Sequence, residues 1–157
     1  MDLKTLFDRA GAADVVIAYA TALDTHDWAG FEALFEETIE IDYGSAGMTV
    51  GRFPARAWAD RCRMLEMFDA THHKVSNLKV ELDGDTAIVR SHIDAAHFIT
   101  VGGQVLEAYL LGRYEHHLVR RGAGWRIALC RLTVSGYPGG RDRFDAAFAA
   151  ARAKVSG

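Results

Sequence analysis

Cysteine is scarce in this sequence of 157 residues, which contains only Cys62 and Cys130. The two lie far apart and match no metal-ligand or redox spacing, so we expect two buried apolar side chains, with a disulfide or a reactive thiol as the alternative. Long apolar runs are also missing: no stretch approaches the roughly 18 apolar residues of a membrane-spanning helix. Residues 1–4 do not form a charged segment that leads into an apolar run, so we expect no signal peptide. We therefore expect a cytoplasmic protein with no membrane partner.

An excess of positive charge is missing as well. Lysine and arginine total 18 against 21 for aspartate and glutamate, which gives a formal net charge of -3. A nucleic-acid-binding domain would carry a basic face, so we expect no nucleic-acid partner. Hydrophobic residues make up 50% of the chain and charged residues 25%, which is ordinary globular usage. The length suits one domain, and we predict a single domain over residues 1–157.

The N-terminal half has mostly helical periodicity. Apolar residues recur at helical spacing over residues 3–23 and again, in shorter segments, over 28–35 and 54–68. Alternating residues between the last two segments predict short strands at 39–43 and 48–53. We therefore expect three N-terminal helices with two extended segments between the second and the third.

In the C-terminal half the periodicity changes to two. Turn signals rich in glycine separate four strand candidates, and a terminal helix follows: the segments are 71–82, 86–101, 105–120, 125–137 and, for the helix, about 141–154. Helices followed by an antiparallel meander predict an α+β fold. We expect a curved, mostly antiparallel sheet that wraps on the N-terminal helices and encloses a pocket.

Two adjacent histidines, His72 and His73, open the first of these long strands. Because side chains alternate along a strand, one of the two must point into the fold, where it needs a hydrogen-bonding partner. The best candidate is Asp24, since a carboxylate at the end of the first helix is unfavourable unless a histidine compensates it. Val80 and its apolar neighbours share a face with His72, whereas a β-bulge within 74–77 would turn His73 inward instead. Both histidines are candidates for a proton-transfer dyad with Asp24.

Four further side chains are candidates for the pocket wall. The more apolar face of the second long strand includes His97, which we expect to point inward. Arg131 continues an apolar face of the last strand, and it either pairs with a carboxylate at the sheet rim or supports the dyad or a substrate anion. Tyr19 and Tyr43 are either core aromatics or hydroxyl donors to a substrate. No metal-ligand spacing occurs, so we expect no metal site. We expect surface positions for His26, His116 and His117.

Several short motifs occur in a characteristic order along the chain. They are Tyr19…Asp24, Ile41-Asp42-Tyr43-Gly44, Thr71-His72-His73-x-x-x-Asn77, Asp83-Gly84-Asp85, Gly112-Arg113-Tyr114 and Gly124-Trp125-Arg126-Ile127. In this order they resemble the SnoaL-like branch of the nuclear-transport-factor-2-like superfamily, and the resemblance covers about residues 8–137. It implies a cone of curved sheet and three helices around a deep apolar cavity, the cystatin-like α+β barrel.

Within that superfamily the chain is similar to the group that contains scytalone dehydratase, the bile-acid 7α-dehydratase and hexachlorocyclohexane dehydrochlorinase. Those enzymes use an Asp–His dyad, and no cofactor, to remove a proton and expel a neighbouring leaving group. The resemblance implies that His73 rather than His72 is the base, that Asp24 orients it, and that a bulge follows His73. It also implies substrate contacts from Tyr19, Tyr43, His97 and Arg131.

The function that the resemblance implies is a cofactor-independent lyase of the dehydratase type, acting on a small hydrophobic cyclic or aromatic molecule. The halide-eliminating enzyme carries a lysine in its first helix that has no match near Val16 and Ala18, which disfavours loss of halide. Isomerase or polyketide-cyclase chemistry would use the same parts, and a non-catalytic binding domain or a small subunit of a larger complex can share the fold. Ile88 and Phe98 on the outer sheet face predict a homo-oligomer, either a trimer or a dimer.

Overall fold

The computed structural model describes residues 2–155, so Met1 and residues 156–157 of the predicted domain lie outside the described residues. The helices of the described range are α1 (Leu3–Thr25), α2 (Trp28–Ala33), α3 (Ala55–Cys62) and α4 (Arg141–Val155), with short 3-10 turns at Gly44–Ala46 and Arg63–Met67. The predicted third helix is thus α3 continued by a 3-10 turn. Between residues 2 and 155 no helix combines the length and the apolar character needed to cross a membrane.

The described strands form one six-stranded sheet. They are β1 (Phe35–Asp42), β2 (Val50–Pro54), β3 (Ala70–Asp83), β4 (Thr86–Val101), β5 (Gln104–Arg121) and β6 (Gly124–Gly136), in the spatial order β2-β1-β6-β5-β4-β3. β3 to β6 form the predicted antiparallel meander, whereas β1 lies parallel to β6. The predicted α+β class is confirmed, with a sheet that is mixed.

The sheet is open rather than closed. β2 and β3 are its two edges, and no pairing joins them among the described strands. The cone that the resemblance implies is therefore built on an open sheet. Helices bury the inner face of this sheet: α1 packs against β3 and β6, and α4 packs against β4 and β5. With that face covered, closure is not needed to shield it from water.

The C-terminal end of α1 lies beside β3. The buried face of this helix includes Val16 and Tyr19. His26 ends the helix in a left-handed conformation, with a φ of 55°, and its N–H bonds to the carbonyl of Ala22. Asp24 therefore lies in the last turn of α1, where that helix packs against β3.

A β-bulge in β3 decides which of the adjacent histidines faces inward. The pairing of β3 with β4 shifts register between Ser76 and Lys79, and Asn77 has a left-handed φ of 52°. A bulge of this kind moves the inward-facing set from odd to even positions. His73 consequently faces inward and His72 is exposed. The bulge implied by the resemblance is confirmed, and the expectation from strand parity that His72 faces inward is wrong.

A second bulge, in β6, moves Arg131 to the outer face of the sheet. The pairing of β6 with β5 skips Ala128. Ile127 is buried before the bulge, whereas Cys130 and Leu132 are buried after it. Arg131 therefore does not continue the inward apolar face, and the expectation that it does is wrong because the extra residue reverses the alternation.

β4 contributes the longest regular part of the inner wall. Its bounds, Thr86–Val101, are those predicted. The predicted inward residues are all buried, namely Ala87, Val89, Ser91, Ile93, Ala95, His97 and Ile99. A strand without a bulge keeps one alternation from end to end, which is why its inner face could be read from the sequence.

Candidate active site

The inner face of the sheet and the surrounding helices enclose an apolar cavity. Its volume is about 190 Å³, and an apolar cavity of about 150 Å³ is known to hold one benzene molecule. Tyr19, Tyr43, His73 and His97 all line it, in a wall that is otherwise mostly aliphatic and aromatic. The space suits a ligand built on a single substituted ring.

Asp24 and His73 form a hydrogen-bonded pair at the wall of this cavity. His73 Nδ1 lies 2.7 Å from Asp24 Oδ1, and the His73 side chain is only 6% exposed. Because an ionised carboxylate can only accept, Nδ1 carries a proton, and in the neutral imidazole it is Nε2 that holds the lone pair. None of the described residues forms a hydrogen bond with this Nε2. The dyad therefore presents an unoccupied basic nitrogen on a side chain that lines the cavity.

Asp24 is ionised and held by several donors. The backbone N–H of His73 donates to Oδ2 at 2.7 Å, and the hydroxyl of Thr71 donates to Oδ1 at 2.9 Å. Burial alone would raise the pKa of the Asp24 carboxyl, but the bonds from the His73 side chain and backbone and from Thr71 outweigh it and lower that pKa to about 2. The unfavourable position at the helix end is thus compensated in the way the sequence predicted.

His97 lies beside the dyad as a neutral imidazole. Its ring is 5.2 Å from that of His73, edge to face. His97 Nδ1 is 3.1 Å from the carbonyl oxygen of Ala108, and since a carbonyl can only accept, Nδ1 carries the proton. Burial first, and then the neighbouring His73, lowers the pKa of His97 to about 4. At neutral pH His97 therefore offers Nε2 as an acceptor.

A cluster of buried tyrosines forms another part of the wall. The hydroxyls of Tyr19 and Tyr43 are 2.6 Å apart, and Tyr114 packs against both rings. Burial, followed by the nearby Cys130, raises the pKa of all three phenols well above the usual value. The tyrosines therefore stay protonated and act as hydrogen-bond donors. Tyr114 is not among the residues predicted for the site, although its alternation with the buried Leu118 on β5 places it inside.

Cys130 and His116 lie behind the tyrosines. Cys130 Sγ is 3.5 Å from the Tyr43 hydroxyl and 3.2 Å from His116 Nε2. His116 is completely buried, so the expectation of a surface position is wrong; it alternates inward on β5 with Tyr114 and Leu118. Its Nδ1 has no hydrogen-bond partner among the described residues. Burial, and then the neighbouring His117, lowers the pKa of His116 to about 3.

The two cysteines and the remaining histidines differ in their burial. Cys130 is buried, as expected, whereas Cys62 is half-buried; both are free thiols. His117 is half-exposed and bonds to Glu115, while His26 is exposed and stacks on Trp28. In residues 2–155 no group of three or more histidine, cysteine, aspartate or glutamate side chains is arranged to hold a metal ion.

Arg131 does not line the cavity. Its guanidinium bonds to Asp42 at 3.0 Å and to Glu115 at 3.1 Å on the outer face of the sheet. Of the two alternatives drawn from the sequence, the geometry matches pairing with carboxylates. A direct contact between Arg131 and a ligand in the cavity is therefore not supported.

Comparison with known proteins identifies the family. Residues 4–131 match the SnoaL-like domain, which is most of the chain, so the protein belongs to the SnoaL-like domain family. An uncharacterized protein of Mycobacterium tuberculosis is 26% identical over 129 residues, which cover 81% of this chain and 85% of that protein.

Solved structures share the fold. A protein from Kribbella flavida has a TM-score of 0.78 at 26% identity, over 87% of this chain and 95% of that one. A candidate scytalone dehydratase from Novosphingobium aromaticivorans has a TM-score of 0.74 at 22% identity, over 85% and 87%. A type 2 hexachlorocyclohexane dehydrochlorinase has a TM-score of 0.71 at 17% identity, over 87% and 91%. The predicted cystatin-like fold is confirmed.

Proposed function

We propose that this protein is a cofactor-independent lyase that removes water from a small hydroxylated cyclic or aromatic substrate. The observation that carries the proposal is the Asp24–His73 pair, because its Nε2 is free on a side chain that lines an apolar cavity. Membership of the SnoaL-like domain family supports a lyase or isomerase role. Fold likeness to proteins named as a candidate dehydratase and a dehydrochlorinase agrees with it.

His73 would act as both base and acid in the elimination. Its Nε2 takes the proton from the carbon next to a substrate carbonyl, and the ionised Asp24 stabilises the imidazolium that results. The electron pair of the C–H bond becomes the new C=C bond, and the C–O bond breaks with its pair on oxygen. The imidazolium then returns the proton to the departing hydroxyl, so water leaves and the dyad is restored.

The tyrosine hydroxyls would polarise the substrate carbonyl. Their raised pKa values make them poor proton donors, but a hydrogen bond from a neutral phenol in a dry cavity stabilises the enolate oxygen that forms when the proton leaves. His97 Nε2 would accept a hydrogen bond from the hydroxyl of the substrate, because His97 Nδ1 is bonded to the carbonyl of Ala108. These contacts would hold the reacting carbon at His73.

An isomerase is the second candidate. It rests on the same dyad, because the raised pKa of the tyrosines leaves the imidazolium as the main proton donor described at the cavity in either reaction. A proton taken up by His73 could then return to another carbon of the same substrate instead of to a leaving group.

The test separates proton transfer from bond cleavage. Hydroxylated cyclic ketones are incubated with the protein in D₂O; NMR follows exchange of the α-proton, and absorbance follows the conjugated product. We expect His73→Gln to slow both by about 10²- to 10⁴-fold, while His72→Gln, at the exposed neighbouring position, leaves both unchanged. Exchange without water loss would favour the isomerase, and ligand binding with neither reaction would favour a non-catalytic binding domain.

A further inference from the structure

The cavity has one permanently cationic side chain in its wall. Among the described lining residues, Arg61 of α3 is the only lysine or arginine. Arg61 is exposed, and Met48, which also lines the cavity, is 42% exposed. These two residues therefore mark the mouth, whereas His73, at 6% exposed, belongs to the interior.

The guanidinium of Arg61 is held in place without being neutralised. Its Nη1 donates to the hydroxyl of Thr49 at 3.0 Å, and its Cζ lies 5.2 Å from the centre of the Phe53 ring, a cation–π distance. No carboxylate of the described chain forms an ion pair with Arg61; the nearby acids Asp60 and Glu66 pair with Arg63 instead. Most of the five N–H donors of Arg61 therefore have no acceptor from the protein.

An oriented guanidinium without a counter-ion fits a carboxylate. Its planar donors match the two oxygens of a carboxylate in a bidentate pair, which is stronger and more directional than a neutral hydrogen bond. Its position at the mouth also fits the charges inside. Asp24 is already ionised behind His73, and the remaining wall is mostly apolar, so a second buried negative charge would be repelled and poorly solvated. A ligand anion is best accommodated at the mouth, on Arg61.

We infer that the cavity takes a monocyclic carboxylic acid, with its ring among the tyrosines and histidines and its carboxylate paired with Arg61. This inference deepens the proposed function, because it names the substrate class of the same cavity, and it rests on that function only for the reacting carbon facing His73. Arg61 is then a specificity-determining residue rather than part of the proton transfer.

The test compares two probes of the same shape and different charge, cyclohexanecarboxylate and cyclohexanecarboxamide. Their dissociation constants are measured by NMR titration of the full chain at neutral pH. We expect the wild-type protein to prefer the carboxylate by about 10- to 100-fold, the range for hydrogen bonds to charged groups. Arg61→Gln should abolish this preference while changing the affinity for the amide much less, and Arg61→Lys should restore part of it.

Arg63→Gln is the matched control. Arg63 follows α3 directly, is similarly exposed, and pairs with Asp60 and Glu66 outside the cavity wall, so the preference should persist in this variant. Unfolding midpoints of all variants confirm that each is folded. Equal binding of the two probes to the wild type, a preference that survives in Arg61→Gln, or no binding of either probe would overturn the inference.

The same titrations on His73→Gln separate this inference from the proposed function. Binding at the mouth does not require proton transfer, so the carboxylate preference should be retained in that variant even though activity is lost. If the protein turned over neutral ring ketones through His73 and Arg61 had no effect on binding, only the proposed anion site would be ruled out. If the wild type preferred the carboxylate but turned over none of the substrates, the proposed lyase function would be ruled out and the anion site would be retained.

Discussion

Asp24 holds His73 at two points. One carboxylate oxygen accepts the backbone N–H of His73 at 2.7 Å, and the other is 2.7 Å from the imidazole Nδ1 of the same residue. A single side chain at the end of α1 therefore fixes both the strand and the ring, and the tautomer that leaves Nε2 free follows from the same contact.

Asp24→Asn should disable the dyad. An asparagine side chain has one acceptor atom in place of two, so it cannot serve the ring and the backbone N–H together, and it brings no charge to stabilise the imidazolium. We expect α-proton exchange to slow by about 10²- to 10⁴-fold. Thr71→Val, which removes only the third donor to Asp24, should change the rate much less. Nearly full activity in Asp24→Asn would show that the carboxylate is not needed.

Acid should destabilise the fold through its buried neutral histidines. The pKa is about 4 for His97 and about 3 for His116, both below the ordinary value of 6.5. At a pH between the lowered pKa of each histidine and 6.5, the unfolded chain binds a proton at that histidine that the folded chain does not. The free energy of unfolding is therefore highest above pH 6.5 and falls as the pH falls, by up to about 1.4 kcal/mol per pH unit for each histidine.

His116→Leu tests the sign and the assignment of this effect. Urea unfolding at pH 7, 6 and 5 should give a shallower loss of stability in the variant than in the wild type, by the contribution of one histidine. His72→Gln, which removes an exposed histidine outside this cluster, serves as the control. A pH dependence identical in His116→Leu and the wild type would contradict a neutral buried His116.

Regular strands are the part of this fold that could be predicted from sequence. The bounds of β4 and its inward face, including His97, were predicted correctly because an unbroken alternation carries that information. A bulge breaks the alternation, and it depends on pairing between strands rather than on a local pattern. Strand parity therefore failed for His72 and for Arg131. Only the resemblance indicated the first of these bulges, and nothing in the sequence indicated the bulge at Ala128.

The pairing of strands that are distant in sequence could not be predicted either. The parallel contact of β1 with β6 joins segments almost a hundred residues apart, and no local signal selects it over an edge position. The burial of His116 is a different case, because the residues at 114 and 118 alternate with it on the inward face of β5. Strand periodicity alone is enough to place His116 inside.

Asn77 should be sensitive to substitution by residues that are branched at Cβ. Its φ of 52° lies in the left-handed region, which glycine and asparagine tolerate and branched residues do not. We expect Asn77→Val to lower the free energy of unfolding by about 1–3 kcal/mol and to lower activity through a displaced His73, whereas Asn77→Gly should be close to neutral in activity. Equal stability of the two variants, measured by urea unfolding, would mean that the bulge is not strained.

Tyr43→Phe should weaken catalysis more than stability. The substitution removes the hydroxyl that contacts Tyr19 at 2.6 Å and, in the proposed mechanism, a donor to the enolate oxygen. We expect kcat/KM to fall by about 10²-fold and the free energy of unfolding by about 1 kcal/mol. Tyr109→Phe, at a ring that packs on Phe98 outside the cavity, is the control. An unchanged kcat/KM in Tyr43→Phe would mean that the tyrosines only pack the core and do not donate to the substrate.

Arg131→Gln tests whether Arg131 acts near the dyad, as the resemblance implies, or only forms ion pairs on the outer face of the sheet. The resemblance implies a role near the dyad, but the Arg131 side chain is 41% exposed and pairs with Asp42 and Glu115 away from the cavity. We expect kcat/KM to stay within about threefold of the wild type and the free energy of unfolding to fall by no more than about 1 kcal/mol, as for other exposed ion pairs. Arg90→Gln, which breaks another bond to Glu115, should behave alike. If Arg131→Gln lost more than tenfold in kcat while Arg90→Gln lost nothing, Arg131 would have to reach the site during turnover, which requires the bulge at Ala128 to rearrange.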